Sequence, residues 1–178
     1  MTKYMALVAA AILVGIDQWV KAWAYTGLSE RITVIPGVFY LTYLENTGAA
    51  FGLFQGRAFA LGIVSIVILS FVLYLLLSGK VSGRAIIWGL SLVLAGGVGN
   101  LIDRMTRGFV IDYLDFSALF GFPIFNLADC FVVIGTVLMM IHILFIEGKK
   151  PAPETGPDSP REIEDAQLSE GEQTGGNS

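Results

Sequence analysis

The sequence contains only one cysteine, Cys130, and only one histidine, His142. A single cysteine excludes an intramolecular disulfide and a cysteine-rich metal site. A single histidine excludes a histidine-rich metal centre and a proton relay made of several histidines. Charged residues are also scarce, at 15% of the chain, and they form no basic patch. The sequence therefore gives no support to nucleic-acid binding.

The few charges are unevenly distributed along the chain. Residues 1–150 hold ten Lys and Arg against eight Asp and Glu, whereas residues 151–178 hold one Arg against seven acids. The segment 151–178 is also rich in Pro, Gly and Ser and has almost no apolar residues. Because such a segment cannot bury enough surface to fold, we expect it to be a disordered acidic cytoplasmic tail.

Long apolar runs dominate the rest of the chain. The sequence is 54% hydrophobic with a mean hydropathy of +0.70, which is typical of a multi-pass membrane protein rather than a soluble domain. About 20 apolar residues suffice to cross a hydrocarbon core of about 30 Å. Four segments meet this length, at about 4–24, 58–77, 85–103 and 124–146. These four runs predict that residues 1–150 form a four-helix membrane domain.

The first apolar run has an alternative interpretation as a cleavable signal peptide ending near Ala24. Against it, Asp17, Gln18 and Lys21 lie near the outer end of an otherwise continuous span. Basic residues orient the four spans by the positive-inside rule. They flank the same side of the bundle, at Lys3, Lys80, Arg84, Lys149 and Lys150. Both termini are therefore predicted to be cytoplasmic, with 25–57 and 104–123 outside.

The first outer segment has the composition of a small sheet. Residues 31–46 are rich in β-branched and aromatic residues and are interrupted by Pro36 and Gly37. This pattern predicts two short strands joined by a turn. Residues 46–52 are mostly small and permit close backbone approach. A small extracytoplasmic β-sheet within about 31–52 is therefore expected, in an otherwise mainly α membrane protein.

Polar residues gather at the outer ends of the spans and in the segment between the last two. They are Asp17, Lys21, Asn100, Asp103, Arg104, Asp112, Asp115, Asn126 and Asp129. Several have plain structural interpretations, such as i,i+4 ion pairs for Asp17 with Lys21 and for Asp103 with Arg107. We interpret Asp17 with Lys21 as a snorkelling structural pair.

Asp129 is the hardest of these residues to explain structurally, because an acid within a membrane span is costly. It could bind a cation or carry protons, as in a transporter. It could instead meet a second carboxylate, share a proton with it and activate water. Asp112 and Asp115 are both candidate partners, although Asp115 is more simply interpreted as a solvated loop acid. No inverted repeat supports a transporter.

Five blocks of the sequence resemble, in order, the bacterial lipoprotein signal peptidases. The blocks are DQWVK (17–21), ENTGAAFG (45–52), GGVGNLIDR (96–104), VIDYLDF (110–116) and FNLADCF (125–131). The resemblance spans about residues 4–147 and is specific because all five blocks occur in order. It implies an integral-membrane aspartyl protease of the signal peptidase II type.

The resemblance also implies roles for individual residues. Asp112 and Asp129 match the family's catalytic dyad, and no metal or organic cofactor is needed. Four other positions match residues that line the site, Asn46, Asn100, Arg104 and Asn126. Asp17, Lys21 and Asp103 match positions more plausibly tied to structural support. The implied substrate is a diacylglyceryl-modified prolipoprotein in the bacterial inner membrane, with globomycin-type peptides as inhibitors and a monomer as the expected state.

Overall fold

Four long helices and a small sheet make up the computed structural model, which describes residues 2–48 and 54–145. The elements follow the chain in this order: α1 (Thr2–Gly27), β1 (Ile32–Ile35), β2 (Phe39–Asn46), α2 (Ala58–Ser78), α3 (Arg84–Thr106), β3 (Val110–Asp115), α4 (Ser117–Phe120) and α5 (Leu127–Phe145). The predicted tail 151–178 and the end of the small-residue segment, 49–52, lie outside the described residues.

The four long helices confirm the predicted membrane architecture, because each is long and apolar enough to cross a bilayer. α3 is the central helix and packs against α1, α2 and α5. Most large apolar side chains of α2 are exposed, and its mean hydropathy of 2.8 is the highest of the four. A helix of this kind is stable only with lipid around it.

Three glycines in the C-terminal half of α3 allow three different helices to approach it. An added Cβ would lie 2.1 Å from the Ala128 carbonyl oxygen of α5 at Gly96, and 2.4 Å from Leu69 of α2 at Gly97. At Gly99 it would lie 2.5 Å from the carboxylate of Asp17 on α1. The small size of these glycines therefore permits close packing of α3 against its neighbours.

The small sheet is antiparallel, with the strand order β1-β2-β3. β1 and β2 form the predicted hairpin, and Gly37 in its turn has a φ of 74° that favours glycine. In the second pairing, Leu44 lies opposite Asp112 and Asn46 opposite Val110. This register brings Asn46, at the end of β2, beside the first acid of β3.

The third strand and the short helix α4 were not predicted from the sequence. Residues 110–115 include the β-branched Val110 and Ile111 and the aromatic Tyr113, which favour a strand, but their apolar and polar side chains do not alternate. Beyond α4, the chain returns to β3 through an isolated bridge between Leu114 and Phe125. This bridge explains why α5 begins at Leu127 rather than at 124 as predicted.

Candidate active site

Asp112 is held inside the protein by two asparagine side chains. Only 2% of its surface is exposed. The Nδ2 of Asn46 donates to its Oδ2 at 2.9 Å, and the Nδ2 of Asn126 donates to its Oδ1 at 2.7 Å. Both carboxylate oxygens are therefore oriented by neutral donors, one from β2 and one from the residue before α5.

Asp129 is fixed by a reciprocal pair of hydrogen bonds at the start of α5. The backbone N–H of Asn126 donates to the Oδ2 of Asp129 at 3.2 Å, and the backbone N–H of Asp129 donates to the Oδ1 of Asn126 at 3.0 Å. This arrangement is a capping box, which satisfies two N–H groups that a helix start leaves without partners. The i,i+3 spacing thus has a local structural cause as well as a place in the site.

Asn100 and Asn126 connect the two acids. The Nδ2 of Asn126 donates to the Oδ1 of Asn100 at 3.1 Å as well as to Asp112. The Nδ2 of Asn100 in turn donates to the Oδ1 of Asp129 at 2.7 Å. A continuous hydrogen-bonded path therefore joins Asp112 on β3 to Asp129 on α5 through an amide from α3.

The environment of Asp112 favours its protonated form. Burial is the main cause and raises the pKa of this carboxyl from 3.8 to about 7. The hydrogen bonds from Asn46 and Asn126 act in the opposite direction, and the neighbouring charge of Asp129 raises the pKa further. An acid that holds its proton near neutral pH beside a second acid is suited to proton transfer.

Arg104 places a positive charge beside the two acids. Its guanidinium interacts electrostatically with Asp129, Asp112 and Asp103. Its Nη2 donates to the carbonyl oxygen of Gly48 at 3.4 Å, next to the small-residue segment. Its Nε is buried and has no hydrogen-bond partner within the part of the chain that the structure describes. Arg104 therefore has donors available for a further acceptor at this site.

Asp17, Lys21 and Asp103 form a second, fully buried layer behind the acids. All three side chains are 0% exposed, and the ammonium of Lys21 pairs with both carboxylates. The prediction that Lys21 snorkels toward water is wrong, because its charge is satisfied inside the protein. Asp17 also accepts the backbone N–H of Ala128 at 3.0 Å, which connects α1 to the first turn of α5.

Asp115 lies apart from this network. Our interpretation of it as a solvated loop acid is wrong, because only 2% of its surface is exposed. Thr42 donates to its Oδ2 at 2.7 Å, Ser117 donates to its Oδ1 through both Oγ and N–H, and Arg31 pairs with it at 3.0 Å. In a strand, residues three apart point to opposite faces. Asp112 and Asp115 are so spaced.

Two further residues, which were not among the predicted site residues, connect the elements around the site. The hydroxyl of Tyr113 accepts the backbone N–H of Leu127 at 3.3 Å, so the residue after Asp112 also contacts the start of α5. Gln18 donates to the Gly99 carbonyl oxygen at 3.0 Å. The polar Gln18 beside Asp17 in an apolar run was the available signal. Within 2–48 and 54–145, no group of three acidic, histidine or cysteine side chains could hold a metal ion.

Comparisons with known proteins agree on one family. Residues 9–145 match a family model described as Signal peptidase (SPase) II. The lipoprotein signal peptidase of Clostridioides difficile (strain 630) is 45% identical over 142 residues, covering 78% of this chain and 93% of the relative. That of Brevibacillus brevis is 43% identical over 144 residues, covering 79% and 95%.

Solved structures give the same result for the fold. A bacterial membrane enzyme determined by the in meso method superposes with a TM-score of 0.75 at 32% identity, covering 85% of this chain and 94% of the other. A second such structure gives a TM-score of 0.71 at 33% identity, covering 80% and 94%. Every residue of the site network lies within the segment 9–145 that the family model matches.

Proposed function

The chain belongs to the signal peptidase II family, and we propose that it cleaves diacylglyceryl-modified prolipoproteins just before the lipidated cysteine. One observation carries this proposal most strongly. Two acids from separate elements, Asp112 and Asp129, are joined through the amides of Asn126 and Asn100. A pair of carboxyl groups that share a proton can activate water and polarise a carbonyl at the same time.

The proposed reaction uses one shared proton and one water molecule. The ionised aspartate takes a proton from water as the water oxygen attacks the scissile carbonyl. The protonated aspartate donates its proton to the carbonyl oxygen, giving a neutral tetrahedral intermediate. The newly protonated aspartate then donates its proton to the leaving nitrogen while the other aspartate takes a proton from a hydroxyl of the intermediate, so the C–N bond breaks, a carboxylic acid forms and one proton stays on the dyad. No covalent enzyme intermediate forms, and no metal or organic cofactor takes part.

The surrounding residues have separable roles in this scheme. Asn46 and Asn126 orient Asp112, and Asn100 orients Asp129, because their Nδ2 groups already donate to those carboxylates. Asn46 and Asn100 each keep a second N–H that can meet substrate, whereas Asn126 uses both of its N–H groups on Asp112 and Asn100. Arg104 has the most unused donors and is best suited to bind a substrate backbone carbonyl.

The membrane position of the site suits such a substrate. The acids lie at the ends of α3 and α5 that border the sheet, and the lipid and signal helix of a prolipoprotein are both held in the bilayer. The scissile bond is then delivered at the depth where the acids lie. We propose a multi-pass monomer in the bacterial inner membrane, with both termini cytoplasmic, the site at the outer face, and inhibition by globomycin-type peptides.

The test uses purified protein in lipid and a lipid-modified prolipoprotein as substrate. Asp112→Asn and Asp129→Asn should each lose cleavage by roughly 10³-fold or more, because each removes half of a proton-transfer pair. The same substrate without its diacylglyceryl group serves as the matched control and should not be cut. Full cleavage by either folded variant would contradict the dyad. Substrate flux in proteoliposomes without peptidase activity would favour a transporter instead.

A further inference from the structure

Lys21 is the largest fully buried side chain in the described part of the protein, and all three of its donors have acceptors. Its Nζ lies 2.9 Å from Asp17 Oδ2 and 3.1 Å from Asp103 Oδ2. It also donates to the Oδ1 of Asn100 at 2.8 Å. The first two contacts balance charge. The third joins a buried cation to an amide that contacts Asp129.

The two acids beside Lys21 do not depend on it alone. Asp103 also pairs with Arg107 and accepts the backbone N–H of Ile111 at 3.2 Å. Asp17 also accepts from Gln18 and from the backbone of Ala128. Charge balance and helix packing therefore have other support, whereas among the described residues only the ammonium brings a charged donor to the Asn100 oxygen.

The orientation of the Asn100 amide decides whether it can serve Asp129. The oxygen and nitrogen of an amide are nearly equal in size, so sterics alone do not select one orientation. Only one orientation presents an N–H to Asp129, and the other would place a carbonyl oxygen against a carboxylate. An ammonium group can only donate hydrogen bonds, so Lys21 can form a hydrogen bond with the amide oxygen of Asn100 but not with its NH₂ group.

We propose that Lys21 is a positioning residue for the dyad: it holds the Asn100 amide in the orientation that donates to Asp129. This inference rests on the proposed function. Asn100 then transmits the orientation to both acids, since its oxygen also accepts from Asn126 and Asn126 donates to Asp112. Lys21 on α1 thereby helps to orient the two acids on β3 and α5.

A double-mutant cycle between Lys21 and Asn100 tests this proposal. Lys21→Met and Asn100→Ala should each lower kcat by about 10- to 100-fold. If Lys21 acts through Asn100, the kcat of the double variant should be only slightly below that of the less active single variant. A loss equal to the product of the two single losses would overturn the proposal.

Two further variants separate positioning from stability. Gln18→Leu removes three hydrogen bonds, to Asp17, Asp103 and the Gly99 carbonyl oxygen, but no contact of the Asn100 side chain. It should therefore lower the melting temperature while kcat stays within about threefold. Asp17→Asn with Lys21→Met removes one charge of each sign and keeps the acceptor for Ala128. It should stay folded and still have the low kcat of Lys21→Met. Recovery of wild-type kcat in this double variant would contradict a positioning role.

A spectroscopic measurement tests the amide without any catalysis. The chain has four asparagines, three of them in the site, so side-chain ¹⁵N-asparagine labelling gives a simple spectrum. The Asn100 signal, assigned by its loss in Asn100→Ala, should move in Lys21→Met and stay in place in Gln18→Leu. An unchanged signal in Lys21→Met would refute the positioning of Asn100. Failure of the wild-type protein to cleave would refute only the proposed function.

Discussion

Asp112 and Asp115 lie on the same strand and are equally buried, but their pKa values are shifted in opposite directions. Burial raises the pKa of Asp112 to about 7, because the hydrogen bonds from Asn46 and Asn126 and the charge of Lys21 do not offset the desolvation of its carboxylate. Burial by itself would raise the pKa of Asp115 as well. Hydrogen bonds from Ser117 and Thr42 and the charge of Arg31 outweigh that effect and hold its pKa below 3.8.

The difference between the two acids comes from the faces of β3 on which they lie. One face points toward Asn126 and the dyad network, and the other toward Thr42 and Arg31. Four donors around Asp115 stabilise its charge and leave no lone pair free for chemistry. Two donors around Asp112 orient it but leave its ionisation incomplete near neutral pH. Burial alone therefore does not identify a catalytic acid, whereas the type of its partners does.

Replacing each acid in turn by asparagine should separate the residue needed for activity from the residue needed for stability. We expect Asp112→Asn to lose roughly 10³-fold or more in kcat, because general acid–base catalysis contributes up to about 10⁴-fold. Its melting temperature should change little, since the loss of a desolvated charge offsets one lost hydrogen bond. Cleavage of a lipid-modified prolipoprotein and thermal unfolding are the two measurements.

Asp115→Asn is the matched control for that experiment. It should keep cleavage within about threefold of wild type, because an amide at position 115 would not alter any group that contacts the dyad. Complete loss of activity in a folded Asp115→Asn protein would break the comparison and make Asp115 the partner of Asp129.

The pH dependence of cleavage should follow the same contrast. A dyad that needs one shared proton becomes inactive when that proton is lost, so activity should decline as pH rises through about 7. The loss should approach tenfold for each pH unit above that point. The measurement is kcat for wild type and Asp115→Asn from acidic to alkaline pH. An alkaline limb that moves in Asp115→Asn would contradict the assignment.

The sequence predicted the long helices more completely than it predicted the sheet. The apolar runs identified all four helices because a bilayer imposes a minimum length on each span. The hairpin of β1 and β2 was recognisable from Pro36 and Gly37. β3 was missed because the short segment 110–115 was considered for its acids, and its apolar and polar residues do not alternate. Its pairing with β2 is a contact between distant parts of the chain, which a local pattern does not reveal.

The candidate site shows a similar limit. The clustering of polar residues at the outer ends of the spans was visible in the sequence. The choice between Asp112 and Asp115 was not, because it depends on which face of β3 meets Asn126. The capping-box geometry of Asn126 and Asp129 and the full burial of Lys21 likewise arise only once α1, α3 and α5 are packed together.

The structural role of Asp115 gives the next prediction, which concerns stability. Asp115→Ala should lower the free energy of unfolding by about 1–2 kcal/mol, because it leaves the partly buried donors of Ser117 and Thr42 without this acceptor. The folded-state pKa of Asp115 is lowered, so its stabilising effect is present above pH 3.8 and is lost as pH falls. The difference in stability between wild type and variant, measured with denaturant, should therefore narrow at strongly acidic pH.

The control for this stability measurement is again the asparagine variant. Asp115→Asn keeps an acceptor for Ser117 and should lose less stability than Asp115→Ala. Equal losses in the two variants would mean that the charge, rather than the hydrogen bonds, stabilises this face of β3.

Arg31 provides the smallest expected effect and isolates the charge on the Asp115 face. Its side chain is 46% exposed, so the ion pair with Asp115 is partly screened by water. Its guanidinium also stacks on the ring of Tyr40, 3.6 Å from the ring centroid. Arg31→Lys and Arg31→Ala separate these contributions, since lysine keeps the charge but loses the planar stack. We expect Arg31→Ala to cost about 1 kcal/mol or less, Arg31→Lys to cost less still, and neither to alter kcat. A tenfold fall in kcat in either variant would show that the two faces of β3 are coupled, and the separation between Asp112 and Asp115 would then fail.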